Sequence, residues 1–235
     1  MASKRYKKLL TIRFIAYFIS IIGSLAITFQ FGPVLDTEFN YRKDALFNVH
    51  HSLSPTVITS NQNSPSPVPG NSGTTNFGSA IDLSAGSITP VSTDFGIVIE
   101  KINANSKVIP QVDPANKTEY TNALAMGVAE ALGSTAPGQP GNLYIFSHSV
   151  DAPWNVIRYN AVFYLLRELA VGDRVVLFYK DRRYDYIVFD KTVVDPNDVS
   201  FLTNRYDKPV LTLQTCDPPG TLAHRLIVRA QLAGS

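Results

Sequence analysis

From Asp94 onward the chain is a series of short strand-like apolar runs separated by Gly, Pro, Asn or Asp, the last two alternating apolar and polar positions with period two. Gly96 to Ile102 and Lys107 to Ile109 flank Asn103-Ala104-Asn105-Ser106 and predict a hairpin. Leu143 to Phe146 is a short strand of the buried type, entered from the Gly/Pro-rich stretch Gly133 to Gly141. Ala161 to Leu169 carries Phe163, Leu165, Leu166 and Leu169 at helical intervals and stops at Gly172-Asp173. Arg174 to Tyr179 and Tyr184 to Phe189 pair across Lys180-Asp181-Arg182-Arg183, and Val210 to Cys216 and Arg225 to Leu232 are the last two strands. Seven to eight short strands with only brief helices between them predict a mainly β fold, a closed or nearly closed β-barrel over residues 94–235.

The first half follows a different pattern. Phe14 to Phe31 is an uncharged run of 18 residues preceded by Lys4, Arg5, Lys7, Lys8 and Arg13. At 1.5 Å per residue it covers roughly 27 Å, close to the thickness of a hydrocarbon core. It predicts one N-terminal, single-pass transmembrane helix in the cell membrane, with residues 1–35 forming a basic cytoplasmic tail and anchor and all that follows lying outside the cytoplasm. Gly32-Pro33-Val34-Leu35 is a poor match to a signal-peptidase site, which favours an uncleaved anchor. Leu35, Phe39 and Leu46 recur at helix-like intervals, and Ser52 to Thr93 is then dominated by Ser, Thr, Asn, Gly and Pro. Residues 36–93 therefore read as a juxtamembrane segment and a disordered tether giving reach across an envelope layer.

Composition removes several function classes. A formal charge of +2, with no basic stripe interleaved with aromatics, gives no footprint for nucleic acid. His50 and His51 lack Cys, Asp or Glu companions at ligand spacing, and no acidic cluster reads as a calcium site, so neither metal nor cofactor is expected. Asn116-Lys117-Thr118 matches a glycosylation acceptor, a pattern too short to carry weight. With 235 residues and one cysteine, an outside domain cannot form an internal disulfide, so the thiol of Cys216 is a dimer link, a buried bystander or a reactive group.

That thiol ends the strand Thr212-Leu213-Gln214-Thr215-Cys216 against Asp217-Pro218-Pro219-Gly220, which presents it at a rim. Strand alternation puts Leu211 and Leu213 on one face and Thr212, Gln214 and Cys216 on the other. In the final strand Arg225 faces away from the stripe Leu226, Val228, Ala230 and Leu232. Pairing of the two strands brings Arg225 to the same end as Cys216. His148 follows the strand ending at Phe146, while His224 has the opposite parity to Arg225. A thiolate nucleophile, an imidazole proton carrier and a guanidinium together form a coherent set for acyl transfer.

These residues resemble the sortases, membrane-anchored cysteine transpeptidases of the bacterial surface. Their TLxTC strand end is present as Thr212-Leu213-Gln214-Thr215-Cys216, their late arginine as Arg225 in Arg225-Leu226-Ile227-Val228, and their histidine setting as Gly141-Asn142-Leu143-Tyr144-Ile145-Phe146-Ser147-His148. Gly127-Val128-Ala129, Leu169 to Asp173 and Val193 to Pro196 support the likeness, which spans roughly Phe95 to Leu232. The resemblance implies that Cys216 attacks the Thr–Gly bond of an LPxTG-like sorting signal, that His148 is general acid and then base, and that Arg225 binds the signal backbone or the oxyanion. It implies an amine acceptor such as a lipid-linked peptidoglycan precursor or a pilin lysine. Thr215, Gln214 and Asp151 are the expected substrate-side contacts, Asp151 also being placed to orient the histidine ring. Glu130 stands where many relatives have a histidine, and the turn after Cys216 is short. A non-catalytic tethered assembly module and a surface cysteine hydrolase are the alternatives that the same text allows.

Overall fold

The computed structural model describes residues 4–47, 49, 51–53, 87–148 and 162–234. Eight strands close a barrel: β3 (Phe95–Ile99), β4 (Ala104–Val112), β5 (Val128–Ala131), β6 (Gly141–Phe146), β7 (Arg174–Tyr179), β8 (Arg182–Val194), β9 (Pro209–Asp217) and β10 (His224–Leu232). Their order around the wall is β10-β8-β7-β3-β4-β5-β6-β9, with β9 returning to β10. The β4/β5 and β6/β9 pairs are parallel and the others antiparallel. Closure removes the open edges that short strands would otherwise present.

The alternation seen in the sequence becomes inside and outside. Leu211 and Leu213 of β9, Leu226, Val228 and Ala230 of β10, Val175 and Leu177 of β7, and Tyr186 and Val188 of β8 fill the interior. β3, β5 and β6 are buried along their whole length, and their outer faces are covered. The outer side of β6 carries Tyr144 and Phe146 under Ala123 and Leu124 of the helix α2 (Lys117–Met126), with Phe201 and Leu202 of the short helix α3 (Ser200–Thr203) packed alongside. The outer side of β3 is covered by Leu53 and Ile88, which belong to the parallel pair β1 (Ser52–Leu53) and β2 (Ser87–Ile88).

Several elements differ from the sequence expectation. The β3–β4 turn is Glu100–Ile102 plus Asn103, not 103–106: Asn103 takes φ 49°, leaving Ala104 to Ser106 as ladder residues. The β7–β8 turn contracts to Lys180 and Asp181, both at positive φ as a two-residue hairpin requires, and β8 runs on to Val194. The expected helix at 161–169 is a set of turns and a single 3-10 turn, Leu166–Glu168, whose Phe163, Leu165, Leu166 and Leu169 still enter the core. Helix α2 was not expected; Asn116 caps it, its side chain accepting from Glu119 N at 3.3 Å. At its end Gly127 is required by close approach, since a Cβ there would lie 2.3 Å from the Lys107 carbonyl oxygen.

The N-terminal helix is longer than the apolar run. Helix α1 spans Lys4–Phe47, and its segment Leu9–Ala26, exposed throughout, is long and apolar enough to cross a membrane. α1 continues through Pro33, and its last turns reach the barrel, where Tyr41 packs against the main core.

Candidate active site

Two interstrand registers fix the site. On one side, β6 and β9 run parallel with Phe146 opposite Gln214. The pairing continues past the end of β6, because Ser147 N donates to the Gln214 carbonyl at 3.1 Å and Thr215 Oγ1 donates to the Ser147 carbonyl at 3.0 Å. His148 is thereby brought level with Cys216. On the other side, β9 and β10 are antiparallel with Arg225 directly opposite Cys216. Since side chains alternate, His148 shares the outer face of Phe146, Cys216 that of Gln214, and Arg225 is opposite in parity to the interior residue Leu226. His148, Cys216 and Arg225 form one row across three adjacent strands, each about 4.8 Å from the next.

All three are half-buried. Among the described residues Arg225 uses only Nη1, which donates to the carbonyls of His224 at 3.1 Å and Leu222 at 3.4 Å. This bends the guanidinium toward the β9–β10 turn beside the thiol. His224 is exposed, in keeping with its opposite parity.

Beneath this row lies Tyr144, a side chain that motif reading did not single out. Tyr144, on the outer face of β6, donates its phenol to Oε1 of Gln214. Burial pushes the phenol pKa well above its usual 10.0, the Arg225 charge pulls it back, and the Asp198 carboxylate pushes it up. The phenol stays protonated and remains a donor to Gln214. The available signal was parity: Tyr144 and His148 share a face of one strand.

Thr215 lies on the inward face, buried, with its hydroxyl on the Ser147 carbonyl, so it joins β9 to the residue before His148. Asn142 does the same one level lower. Its Oδ1 accepts from Thr212 Oγ1 at 2.8 Å, and its Nδ2 donates to the Phe201 carbonyl at 2.9 Å, holding α3 against the outer face. Arg229, four residues along β10 from Arg225, is committed elsewhere: Nε and Nη2 donate to Asp190 Oδ2 at 2.9 and 2.7 Å, Nη1 donates to the Tyr206 hydroxyl at 3.2 Å, and the guanidinium stacks over Phe189 and Phe201. Asp151 lies outside the described residues.

Glu130 is buried opposite Ile145, away from the row, its Oε2 accepting from Gln111 N at 3.1 Å and Nε2 at 3.3 Å; burial raises its pKa against these two bonds. It fastens the β4 bulge between Ile109 and Val112. A cleft of about 800 Å³ lies at the opposite rim, between α1 and the level of Arg174 and Ile187, and has no part in the row.

The family model that matches is the sortase domain, over residues 97–233, more than half of the chain. The chain belongs to the sortase family. Among solved structures, this sortase is similar to a lid mutant of sortase A from Corynebacterium diphtheriae, with 27% identity, a TM-score of 0.51, and coverage of 61% of this chain and 72% of that one. It is similar to a pilus-related sortase C of Group B Streptococcus, with 26% identity, a TM-score of 0.50, and coverage of 60% and 68%. Sortase C-1 from Actinomyces oris, at 24% identity with a TM-score of 0.52 and coverage of 62% and 76%, shares the fold. No curated protein sequence matches the chain. Membership implies a cysteine transpeptidase in general, and sortases are membrane-associated proteins, as the apolar N-terminal helix of this one fits.

Proposed function

We propose that this sortase cleaves an LPxTG-like sorting signal through a thioacyl enzyme on Cys216 and transfers the acyl group to an amine, such as a lipid-linked peptidoglycan precursor or a pilin lysine. The observation that carries this reading is the single row His148–Cys216–Arg225, produced by the β6/β9 and β9/β10 registers. The Cys216 thiolate attacks the Thr carbonyl carbon and the C–N bond breaks as His148 gives a proton to the leaving glycine amine. His148 then takes a proton from the incoming amine, which displaces the sulfur and restores the thiolate. Arg225 stabilises charge on the carbonyl oxygen or holds the signal backbone. Gln214, held by Tyr144 two residues below the thiol on the same face, is placed to contact the bound peptide. Asp151 retains its proposed role as a substrate-side contact. An N-terminus in the cytoplasm with the barrel outside is supported by the basic residues Lys4, Arg5, Lys7, Lys8 and Arg13 ahead of the apolar run.

The test is intact-protein mass spectrometry after incubation with an LPxTG peptide. Wild type gains the mass of the peptide up to Thr, Cys216→Ala gains none, and adding an amine discharges the adduct as an amide. His148→Ala slows acylation about 10²- to 10⁴-fold and Arg225→Ala about 10²- to 10³-fold. An adduct that survives in Cys216→Ala, or none in wild type, defeats the reading; discharge only to the free acid identifies a hydrolase.

A further inference from the structure

The order anchor, Ser/Pro/Asn-rich segment, barrel suggests that the middle segment is a tether whose length sets reach. The contacts around α1 describe a different arrangement. Tyr41 packs against the barrel core, beside residues of the 3-10 turn Leu166–Glu168, and burial together with the Glu168 carboxylate raises its phenol pKa. The chain then folds back: Val49 N donates to the Asp44 carbonyl at 2.9 Å, and His51 Nε2 meets Asp44 Oδ2 at 2.9 Å. Leu53 N donates to Glu100 Oε1 at 2.8 Å, and Leu53 and Ile88 bury together on Val98, Val176 and Phe178. Ser52 stands opposite Ser87, and Leu53 opposite Ile88.

Both ends of residues 54–86 are therefore fixed on one face of the barrel, about one strand spacing of 4.8 Å apart. Whatever path those residues take, they return to where they left. As a free tether they would span about 30 Å on average; pinned at both ends they add nothing to the distance between membrane and barrel. That distance is set by α1, in which Tyr41 lies 15 residues beyond Ala26, about 22 Å along a helix. The docked rim holds Arg174 and Ile187, level with Gln231 and Val210, whereas Cys216 lies six residues further along β9, about 20 Å away at the other rim.

We propose that the barrel is clamped to its own anchor helix, so that α1, and not the Ser/Pro/Asn-rich segment, sets the stand-off between the membrane and the Cys216 rim. The clamp itself is independent of the transpeptidase reading; only its consequence, a fixed working height for the nucleophile, rests on it.

The test uses the full chain in nanodiscs with a Cys216→Ala background and spin labels at Leu46→Cys and Val171→Cys, both on exposed positions. Double electron–electron resonance should give one narrow distance distribution. Replacing residues 54–86 by about eight Gly/Ser residues should leave that distribution unchanged, and Tyr41→Asp with Leu53→Asp should broaden it. A broad distribution in the parent, or one that moves with the length of the segment, overturns the proposal. Cleavage of a soluble LPxTG peptide, measured on the shortened chain with Cys216 intact, reports on the transpeptidase reading alone, so failure of one can be told from failure of the other.

Discussion

Thr212→Val tests whether the floor of the candidate site is held as the geometry requires. The substitution keeps the shape and removes one hydroxyl, from a side chain with no exposed surface whose partner, Asn142, is 2% exposed. The lost bond is 2.8 Å long and crosses from β9 to β6, the two strands that carry Cys216 and His148 at their ends. Asn142 Oδ1 is then left buried without its donor, which costs about 1–3 kcal/mol rather than the smaller net value of an exposed hydrogen bond. For a domain of roughly 140 residues, about 3–4 °C per kcal/mol gives a fall in melting temperature of about 3–12 °C. A double-mutant cycle with Asn142→Ala isolates the pair: once Asn142 is gone, Thr212→Val should cost little, giving a coupling energy of at least about 1 kcal/mol. Thr212→Ser, which retains the hydroxyl, should lose only about one methyl's worth, near 0.8 kcal/mol. Additive single effects, or a Thr212→Val protein that melts with wild type, would refute the reasoning and with it the claim that this bond fixes the β6/β9 register.

Tyr144→Phe leaves Gln214 without its phenol donor, and should raise KM for an LPxTG peptide by about three- to tenfold, equivalent to about 0.5–1.5 kcal/mol, with acylation at saturating peptide little changed; an unchanged KM removes Gln214 from the peptide path. Glu130 is held above the ordinary Glu value of 4.5 chiefly by burial, so the folded state retains a proton that the unfolded chain releases. The stability this confers is complete below about 4.5 and is lost as pH climbs through the raised folded value. Melting curves from pH 4 to 8 should therefore show wild type losing ground to Glu130→Gln as pH rises, and parallel profiles would contradict it. Arg229→Ala removes two bonds to a partly exposed Asp190 and contacts with two rings, for a loss of about 1–3 kcal/mol in chemical denaturation; no change would show that the pair is solvent-screened.

The placement of Cys216 and Arg225 on one face was legible because it depends on the most local rule in the chain, strand alternation, applied at two strand ends. Leu211 and Leu213 turned inward, so Gln214 and Cys216 had to face outward, and the short turn after Cys216 left Arg225 as its direct antiparallel partner. The β6/β9 pairing was less accessible, because these strands are parallel and 62 residues separate Phe146 from Pro209. No turn residue specifies such a register; it is fixed by Thr215 on the Ser147 carbonyl and Thr212 on Asn142, bonds that exist only once the barrel has closed. The same separation hid Tyr144, which reads as one more apolar residue of a buried strand until Gln214 is set beside it.

Turns and covers failed for a related reason. Lys180-Asp181 lacks the Gly that signals a two-residue hairpin, and its positive φ values are supported from another segment, where Lys180 N and Asp181 N donate to the carbonyls of Asp94 and Thr93. Leu53 and Ile88 are isolated apolar residues at the two ends of a polar stretch, and composition assigns such a stretch to linker. Their value appears only against Val98, Val176 and Phe178, whose outward faces would otherwise be exposed. A barrel strand buried on both faces, as β3 is, demands a cover, and Val98 between Ile97 and Ile99 announced one without saying where in the chain it would come from. Had β3 been read as doubly buried, the apolar residues of the polar stretch before it, Leu53 and Ile88 among them, would have been the candidates. The tether would then have been recognised as a return path, and the helix before it as the part that holds the barrel in place.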